Sequence, residues 1–237
     1  MKTIKPIFLP GTDRQFKILA SQVNLEGKSV LIIGGGTVEI AHEFIGNRAL
    51  NTKIIVEDND SLIDARMLLR NNDNISVSMM EFASTDFQDG QFDLVFAQAS
   101  ITNKSKNKIV KEIKRILKPG GIFCVGENVS FTRELPVFIK DIFLNSAITP
   151  AFKEDFIKFY TERKFEILYE HDLSPTLKDF YKISSSILNQ NIDTLSDQEK
   201  SFYKKMLKQI SHESNVYLNL GGDNYFGFMM LVMKKAI

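Results

Sequence analysis

The chain has no tryptophan, one cysteine, three histidines and six prolines in 237 residues, and its charges nearly cancel. Each scarcity removes a class of function. The lone cysteine, Cys124, excludes an internal disulfide framework and any site built from several thiolates. It sits inside an apolar stretch, where an inert core thiol is expected. His42, His171 and His212 show no His-x-His pairing, so no metal site is expected. A formal net charge of +1 gives no electrostatic reason to expect nucleic acid or an anionic membrane surface as a partner. No apolar run approaches the ~20 residues of a membrane span. The opening MKTIKPIFLPGTDRQ also lacks the apolar core of a secretion signal. A cytoplasmic protein is expected. What the chain does have is a 43% hydrophobic fraction and nineteen phenylalanines, enough to build a full core in one domain of ordinary size.

The organising stretch is VLIIGGGTVEIAHE, residues 30–43. Val30 to Ile33 reads as a buried strand of a parallel sheet. Gly34, Gly35 and Gly36 break it, and Val38, Ile40, Ala41, Phe44 and Ile45 then recur at helical spacing. A strand, a glycine turn and a helix form the first half of a Rossmann-type unit. Missing side chains let backbone approach a ligand, and a helix N-terminus offers unpaired N–H groups with partial positive charge. Such a turn suits a nucleotide-like cofactor, although the dinucleotide pattern would need a glycine at Glu39.

The remaining chain alternates. A helix is expected from Thr12 or Asp13 to Asn24, and strands over Lys53–Val56, Ile75–Met80, Phe92–Ala97 and Ile122–Val125. Helices over Ser61–Arg70 and Ile109–Leu117 separate them, and Lys118-Pro119-Gly120-Gly121 is a turn. Buried positions on the Ser61–Arg70 helix are expected at Leu62, Ile63, Met67 and Leu68. This order predicts an α/β fold with right-handed crossovers. Beyond Glu127 the pattern changes to helices over Phe131–Asn145 and Ala151–Arg163, a strand over Lys164–Tyr169, helices over Leu173–Gln190 and Ser196–Ser214, and a last strand over Tyr225–Met233. Ser196 with Glu199 forms a capping-box pattern. One domain, 1–237, is expected, with helical insertions at about 128–164 and 173–215 forming a substrate lid.

Ligands of open α/β sheets bind outside the carboxyl ends of the strands. Here those ends carry Gly34-Gly35-Gly36, Glu57-Asp58, Glu81-Phe82 and Gln98-Ala99. A carboxylate after the second strand can accept both ribose hydroxyls. One after the third can accept from an adenine amino group, with a neighbouring N–H left for a ring nitrogen. VLIIGGG, IIVED, EFASTDFQDGQFDLVF, EIKRILKPGGIFCVGE and YFGFMMLVMKK, taken as an ordered set, resemble the class I S-adenosylmethionine-dependent methyltransferases, in their small-molecule branch. The resemblance covers most of the chain. It implies a Rossmann-like, mostly parallel seven-stranded sheet whose antiparallel final strand lies between the fifth and sixth. It also implies S-adenosyl-L-methionine as cofactor and a small-molecule methyl acceptor. By this resemblance the cofactor-binding residues are Gly34, Gly35, Gly36, Glu57 (with Asp58 as its fallback), Glu81, Phe82 and Gln98.

Two positions depart from that family. Ile32 stands where an acidic residue usually helps hold the methionine amino group, and Val38 where another glycine is usual. His171, ending the sixth expected strand, is the nominee for a general base should the acceptor be a hydroxyl. The Phe-rich run from Phe131 to Phe159 is expected to pack the lid onto the core, some of it lining an acceptor pocket. Other readings stay open: a non-catalytic adenosyl- or partner-binding module, an NAD-dependent oxidoreductase, and an aminopropyltransferase. The last would need an Asp-rich segment where Ala97-Gln98-Ala99-Ser100 stands.

Overall fold

The computed structural model describes residues 9–69, 74–191 and 210–236. In chain order the elements are α1 (Arg14–Gln22), β1 (Ser29–Ile33), α2 (Val38–Gly46), β2 (Asn51–Val56), α3 (Asn59–Leu69), β3 (Ile75–Met79) and β4 (Phe92–Gln98). There follow α4 (Lys106–Ile116), β5 (Leu117–Ser130), α5 (Val137–Asn145), β6 (Ala151–Phe152), α6 (Lys153–Thr161), β7 (Phe165–Asp172), α7 (Ser174–Asn191) and β8 (Phe226–Lys235). Residues 210–219 are helical as well.

The sheet runs β3-β2-β1-β4-β5-β8-β7, with two-residue β6 attached to the far end of β5. Neighbours are parallel except around β8, which is antiparallel to both β5 and β7. The expected Rossmann-like fold with its antiparallel last strand is therefore present.

The period of two along each strand explains the layering. Val30 and Ile32 of β1 face a cluster with Phe16 of α1, Phe44 of α2, Ile139 of α5 and Leu177 of α7. Leu31 and Ile33 face the opposite cluster, with Ile109 and Ile113 of α4 and Phe156 and Tyr160 of α6. Covered on both faces, β1 has no polar side to spare. Each such Leu or Ile contributes about 1.5–3 kcal/mol by leaving water.

Several boundaries differ from the sequence reading, each for a visible reason. Lys118-Pro119-Gly120-Gly121 lies within β5 as a bulge: Phe92 pairs with Leu117 but Leu94 with Ile122, and Gly120 takes the left-handed φ of +71°. The turn chemistry and the strand after it were legible there; the pairing of Leu117 before the turn, which makes both one strand, was not. β5 also extends to Ser130, so Phe131 precedes α5 instead of starting it. Ala151 and Phe152 pair with β5 before α6 begins. On α3, Leu62 is buried, but Ile63, Met67 and Leu68 are exposed, and Ala65 and Leu69 face the sheet instead. The expected Ser196–Ser214 helix, its capping box and Arg70 fall largely outside the described residues, and the helical turns at 210–219 run past Ser214.

Candidate functional site

The register lines up one row across the carboxyl edge of the sheet. Ile33 pairs with Ala97, so Gly34 and Gln98 come next; Gln98 pairs with Gly126, Gly126 with Met230, and Met230 with His171. Glycines thus stand on both sides of Gln98.

The first glycines serve the protein's own packing. A Cβ on Gly34, whose φ is +121°, would lie 2.6 Å from Ser100 Cβ, and one on Gly35 2.7 Å from Ser61 Oγ. Gly36 has φ of +69° and meets only Leu9, at 3.7 Å. The Thr37 hydroxyl donates to the Gly34 carbonyl at 2.8 Å and bonds no first-turn N–H of α2. The helix start therefore keeps the polarity that suits an anionic or nucleotide-like group.

At the next strand ends, the Glu57 carboxylate accepts a 2.7 Å hydrogen bond from Phe82 N–H. Two sequence candidates separated by 25 residues are thus in direct contact. Asp58 is engaged differently: its carboxylate accepts from Ser61 N–H at 2.8 Å, the bond of a helix cap on α3. Glu81 is exposed beside buried Phe82.

Gln98 is buried, and its amide nitrogen donates to the Pro10 and Thr12 carbonyls, both at 2.8 Å. It fastens the segment leading into α1. Two residues that the sequence reading did not single out complete this arrangement. Gln15 donates to the Ala97 carbonyl at 3.1 Å and lies directly over Gly126, and Gln22 places its amide nitrogen 3.2 Å from His171 Nε2. When Gln22 donates, His171 Nε2 is the acceptor. Helix α1 therefore lies across the whole row, from Gln98 to His171. Polar residues inside an otherwise amphipathic helix were the available signal, and they read as exposed.

A cleft of about 860 Å³ opens further along the edge, lined by Phe131, Phe152, Lys153, Asp172, Lys178 and Tyr217 among others. Lys153 pairs with Asp172 at 3.0 Å, and the Arg133 guanidinium lies 4.3 Å over the Phe152 ring. It lies between the stretches 128–164 and 173–215. By strand spacing, β8 is about 14 Å from β1. The Phe-rich run divides: Phe131 and Phe152 line this cleft, while Phe156, Phe143 and Tyr160 are core.

Sequence reasoning also missed a buried ionic group at the ends of β4 and β5. Glu127 accepts from Lys106 at 2.8 Å, from Thr102 at 3.2 Å and from the Tyr160 hydroxyl. Lys106 also sits 4.3 Å over the Phe159 ring. Burial and the neighbouring Glu127 charge push the Tyr160 hydroxyl pKa well above its ordinary value. Burial likewise pushes the Cys124 thiol up to about 12, so it is no nucleophile. Glu39 and His42 stand three apart on α2, a spacing that can serve a metal. Among the described residues, no third His, Cys, Asp or Glu joins them.

Residues 31–125 match a family model described as a methyltransferase domain. The ubiquinone/menaquinone biosynthesis C-methyltransferase UbiE of Hydrogenovibrio crunogenus is 27% identical over 202 residues, 82% of this chain and 69% of that protein. Residues 31–125 thus resemble a methyltransferase domain, and the fold is that of the class I S-adenosylmethionine-dependent methyltransferases. The sterol 24-C-methyltransferase erg6 of Aspergillus fumigatus is 30% identical over 126 residues, half of this chain. The chain spans only about a third of that relative's length. The fold also matches the [4+2]-cyclase SpnF, with a TM-score of 0.72, 20% identity, and coverage of 95% of this chain and 81% of SpnF.

The residues present fit the cofactor of this family. Glu57 is an exposed acceptor at a strand end, tied by Phe82 N–H to the end of the third strand, and Gly36 leaves backbone open to close approach.

Proposed function

We propose that this chain is an S-adenosylmethionine-dependent methyltransferase that acts on a small-molecule acceptor. The observation that carries the reading is the contact between Glu57 and Phe82 N–H. It holds the ends of the second and third strands together beside the glycine turn. The carboxylate suits a ribose diol, and the N–H is one that an adenine ring nitrogen can claim from Glu57 when the ligand binds. In this reading Gly34, Gly35 and Gly36 bring backbone to the ligand. Glu57 takes the ribose hydroxyls, Glu81 the adenine amino group, Phe82 N–H a ring nitrogen, and Gln98 stands at the methionyl end. Asp58 supports the site as the α3 cap.

When bound, the cofactor supplies an electrophilic methyl group and its own leaving group. The chain's residues align the two ligands and exclude water, which can contribute several kcal/mol. An amine acceptor need only arrive unprotonated. A hydroxyl acceptor requires a base, and His171 serves only if Gln22 releases Nε2 or if Nδ1 takes the proton. The aromatic walls of the cleft and the quinone- and sterol-methylating relatives support an acceptor with an apolar body. One domain, with 128–164 and 173–215 as its covers, completes the reading. No helix among the described residues is long and apolar enough to cross a membrane, in keeping with a cytoplasmic protein.

Calorimetric titration with S-adenosylhomocysteine and with NAD tests the proposal. The adenosyl ligand should bind more tightly, and tighter NAD binding would overturn it. A second reading, a member that binds the cofactor without transferring its methyl group, is favoured by one observation: Ile32 is fully buried where the family usually has an acid. Tight adenosyl binding with no methyl transfer across quinol, sterol and amine acceptors would select it.

A further inference from the structure

The formal net charge of +1 hides how unevenly charge is spread over the molecule. Helix α4 buries Ile109, Ile113 and Ile116 against the sheet and leaves Lys108 and Lys111 exposed, with exposed Lys104 in the turn before it. Lys114 and Arg163 continue this face towards α6. The Lys114 ammonium donates to the Arg163 carbonyl at 2.7 Å, and the Arg163 guanidinium donates to Asn107 Oδ1 at 2.9 and 2.7 Å. Lys235, at the end of β8, donates to the Leu117 carbonyl at 2.6 Å. None of these six cations forms an ion pair among the described residues. The carboxylates bordering the face are already spent, Glu112 and Asp89 on Arg115 and Glu162 on Lys158. Burial and the nearby Lys114 charge lower the Lys235 pKa, and Asp89 offsets them only in part. Like charges therefore crowd on this side without compensation. On the opposite layer, α2 and α3 carry Glu39, Glu43, Asp60 and Asp64 against a single arginine, Arg66.

We propose that the α4 face docks this protein on a bilayer that contains anionic lipid. At the helical rise, Lys104 to Lys114 spans about 15 Å. That is about two Debye lengths at physiological salt, so the charges act on a surface together. Composition separates a bilayer from other polyanions. Protein interfaces are depleted of lysine and anchored by aromatic side chains in their buried centres. No exposed large hydrophobic side chain lies on α4 or α6. Nucleic-acid sites use arginine forks on phosphate and, for single strands, aromatic platforms under the bases. The one arginine among the six is spent on Asn107 and the Phe159 carbonyl, with its guanidinium 3.6 Å over the Phe159 ring. What remains is lysine, a point charge on a flexible stem, presented on the convex side of a helix. Such a face suits a diffuse field of headgroups.

The test is flotation of the full chain with vesicles of phosphatidylcholine, alone or with phosphatidylglycerol added. Wild type should float only with the anionic vesicles and be released by about 0.5 M sodium chloride. Each lysine near such a surface contributes about fivefold in affinity, so Lys104→Gln/Lys108→Gln/Lys111→Gln should weaken binding about a hundredfold. These three side chains are exposed and bond nothing described, so the melting temperature should match wild type. Lys17→Gln/Arg66→Gln/Lys140→Gln removes the same charge from the opposite layer and should bind nearly as wild type does. Equal losses in the two triple variants, or none in the first, would overturn the proposal. So would wild type that floats with neither kind of vesicle, or equally with both. Duplex DNA that strips the protein from the vesicles at equal charge concentration would assign the face to nucleic acid instead.

Discussion

Glu57 and Asp58 are adjacent carboxylates with different partners, and the structure predicts that replacing them has opposite consequences. Glu57 is exposed and spends one oxygen on Phe82 N–H. Asp58 spends one on Ser61 N–H, at the head of α3. Hydrogen bonds to a charged group contribute about 1.5–3 kcal/mol. Exposure places Glu57 at the lower end of that range, because water and salt screen it. Glu57→Ala should therefore weaken S-adenosylhomocysteine by about 1.5 kcal/mol, roughly tenfold in Kd. Asp58→Ala removes a helix cap, worth about 0.5–2 kcal/mol of stability. In a chain of this size that lowers the melting temperature by about 1–8 °C. Calorimetry and thermal denaturation on both variants give four numbers. The expected pattern is a large binding change for Glu57→Ala and a large melting change for Asp58→Ala. If Asp58→Ala is the more damaging to binding, the ribose-binding role belongs one residue later and the reasoning from register fails.

Two further predictions concern buried charge. Burial alone would raise the Glu112 carboxyl, but hydrogen bonds from Arg115 and from the Thr85 hydroxyl and N–H bring it down to about 2, from the usual 4.5. A depressed folded value means its stabilisation is complete above pH 4.5 and is lost as pH falls towards 2. Glu112→Gln should therefore lose less stability than wild type between pH 5 and pH 2, and melts that decline in parallel would refute this. Lys106→Met strands the Glu127 charge and should cost about 3–5 kcal/mol in urea denaturation, most of it recovered in the Lys106→Met/Glu127→Gln double variant. A double variant no more stable than the single would show that packing of the lysine stem, not the charge pair, is what matters.

The fold was legible because its signals are local and periodic: apolar β-branched runs, glycine turns and helical spacing in the first half place every strand through β4. The ends of those strands were legible too, since a strand that stops at Glu57 must present Glu57 at the sheet edge. What the sequence could not show is how polar residues spend their bonding capacity. Gln15, Gln22 and Lys106 are types that usually lie at the surface, and nothing nearby in sequence marks them as buried. Their partners are Ala97, His171 and Glu127, each distant along the chain. Asp58 stood as the fallback for Glu57 until α3 claimed it as a cap. The length of β5 was hidden for a different reason: Pro119 and Gly120 end most strands, but a bulge absorbs them here.

The same contacts decide which part of the cover over the carboxyl edge is costly to move. Helix α1 buries Phe16 and Leu19 in the core, with the Phe16 ring 4.9 Å edge-on from Phe44. Lifting it would return both side chains to water, at about 1.5–3 kcal/mol each. The segment before it is held more lightly. Leu9 to Thr12 forms a turn through Thr12 N–H to the Leu9 carbonyl, with Gly11 and Thr12 both at positive φ, and Gln98 grips it through two carbonyls. Those two hydrogen bonds are worth about 0.5–1.5 kcal/mol each net. Thr12, which has a side chain, also gains by leaving a left-handed conformation. On these magnitudes the turn opens more cheaply than the helix. Gln98 thus sets the cost of opening the turn, since one amide nitrogen donates both of the hydrogen bonds by which it holds that turn.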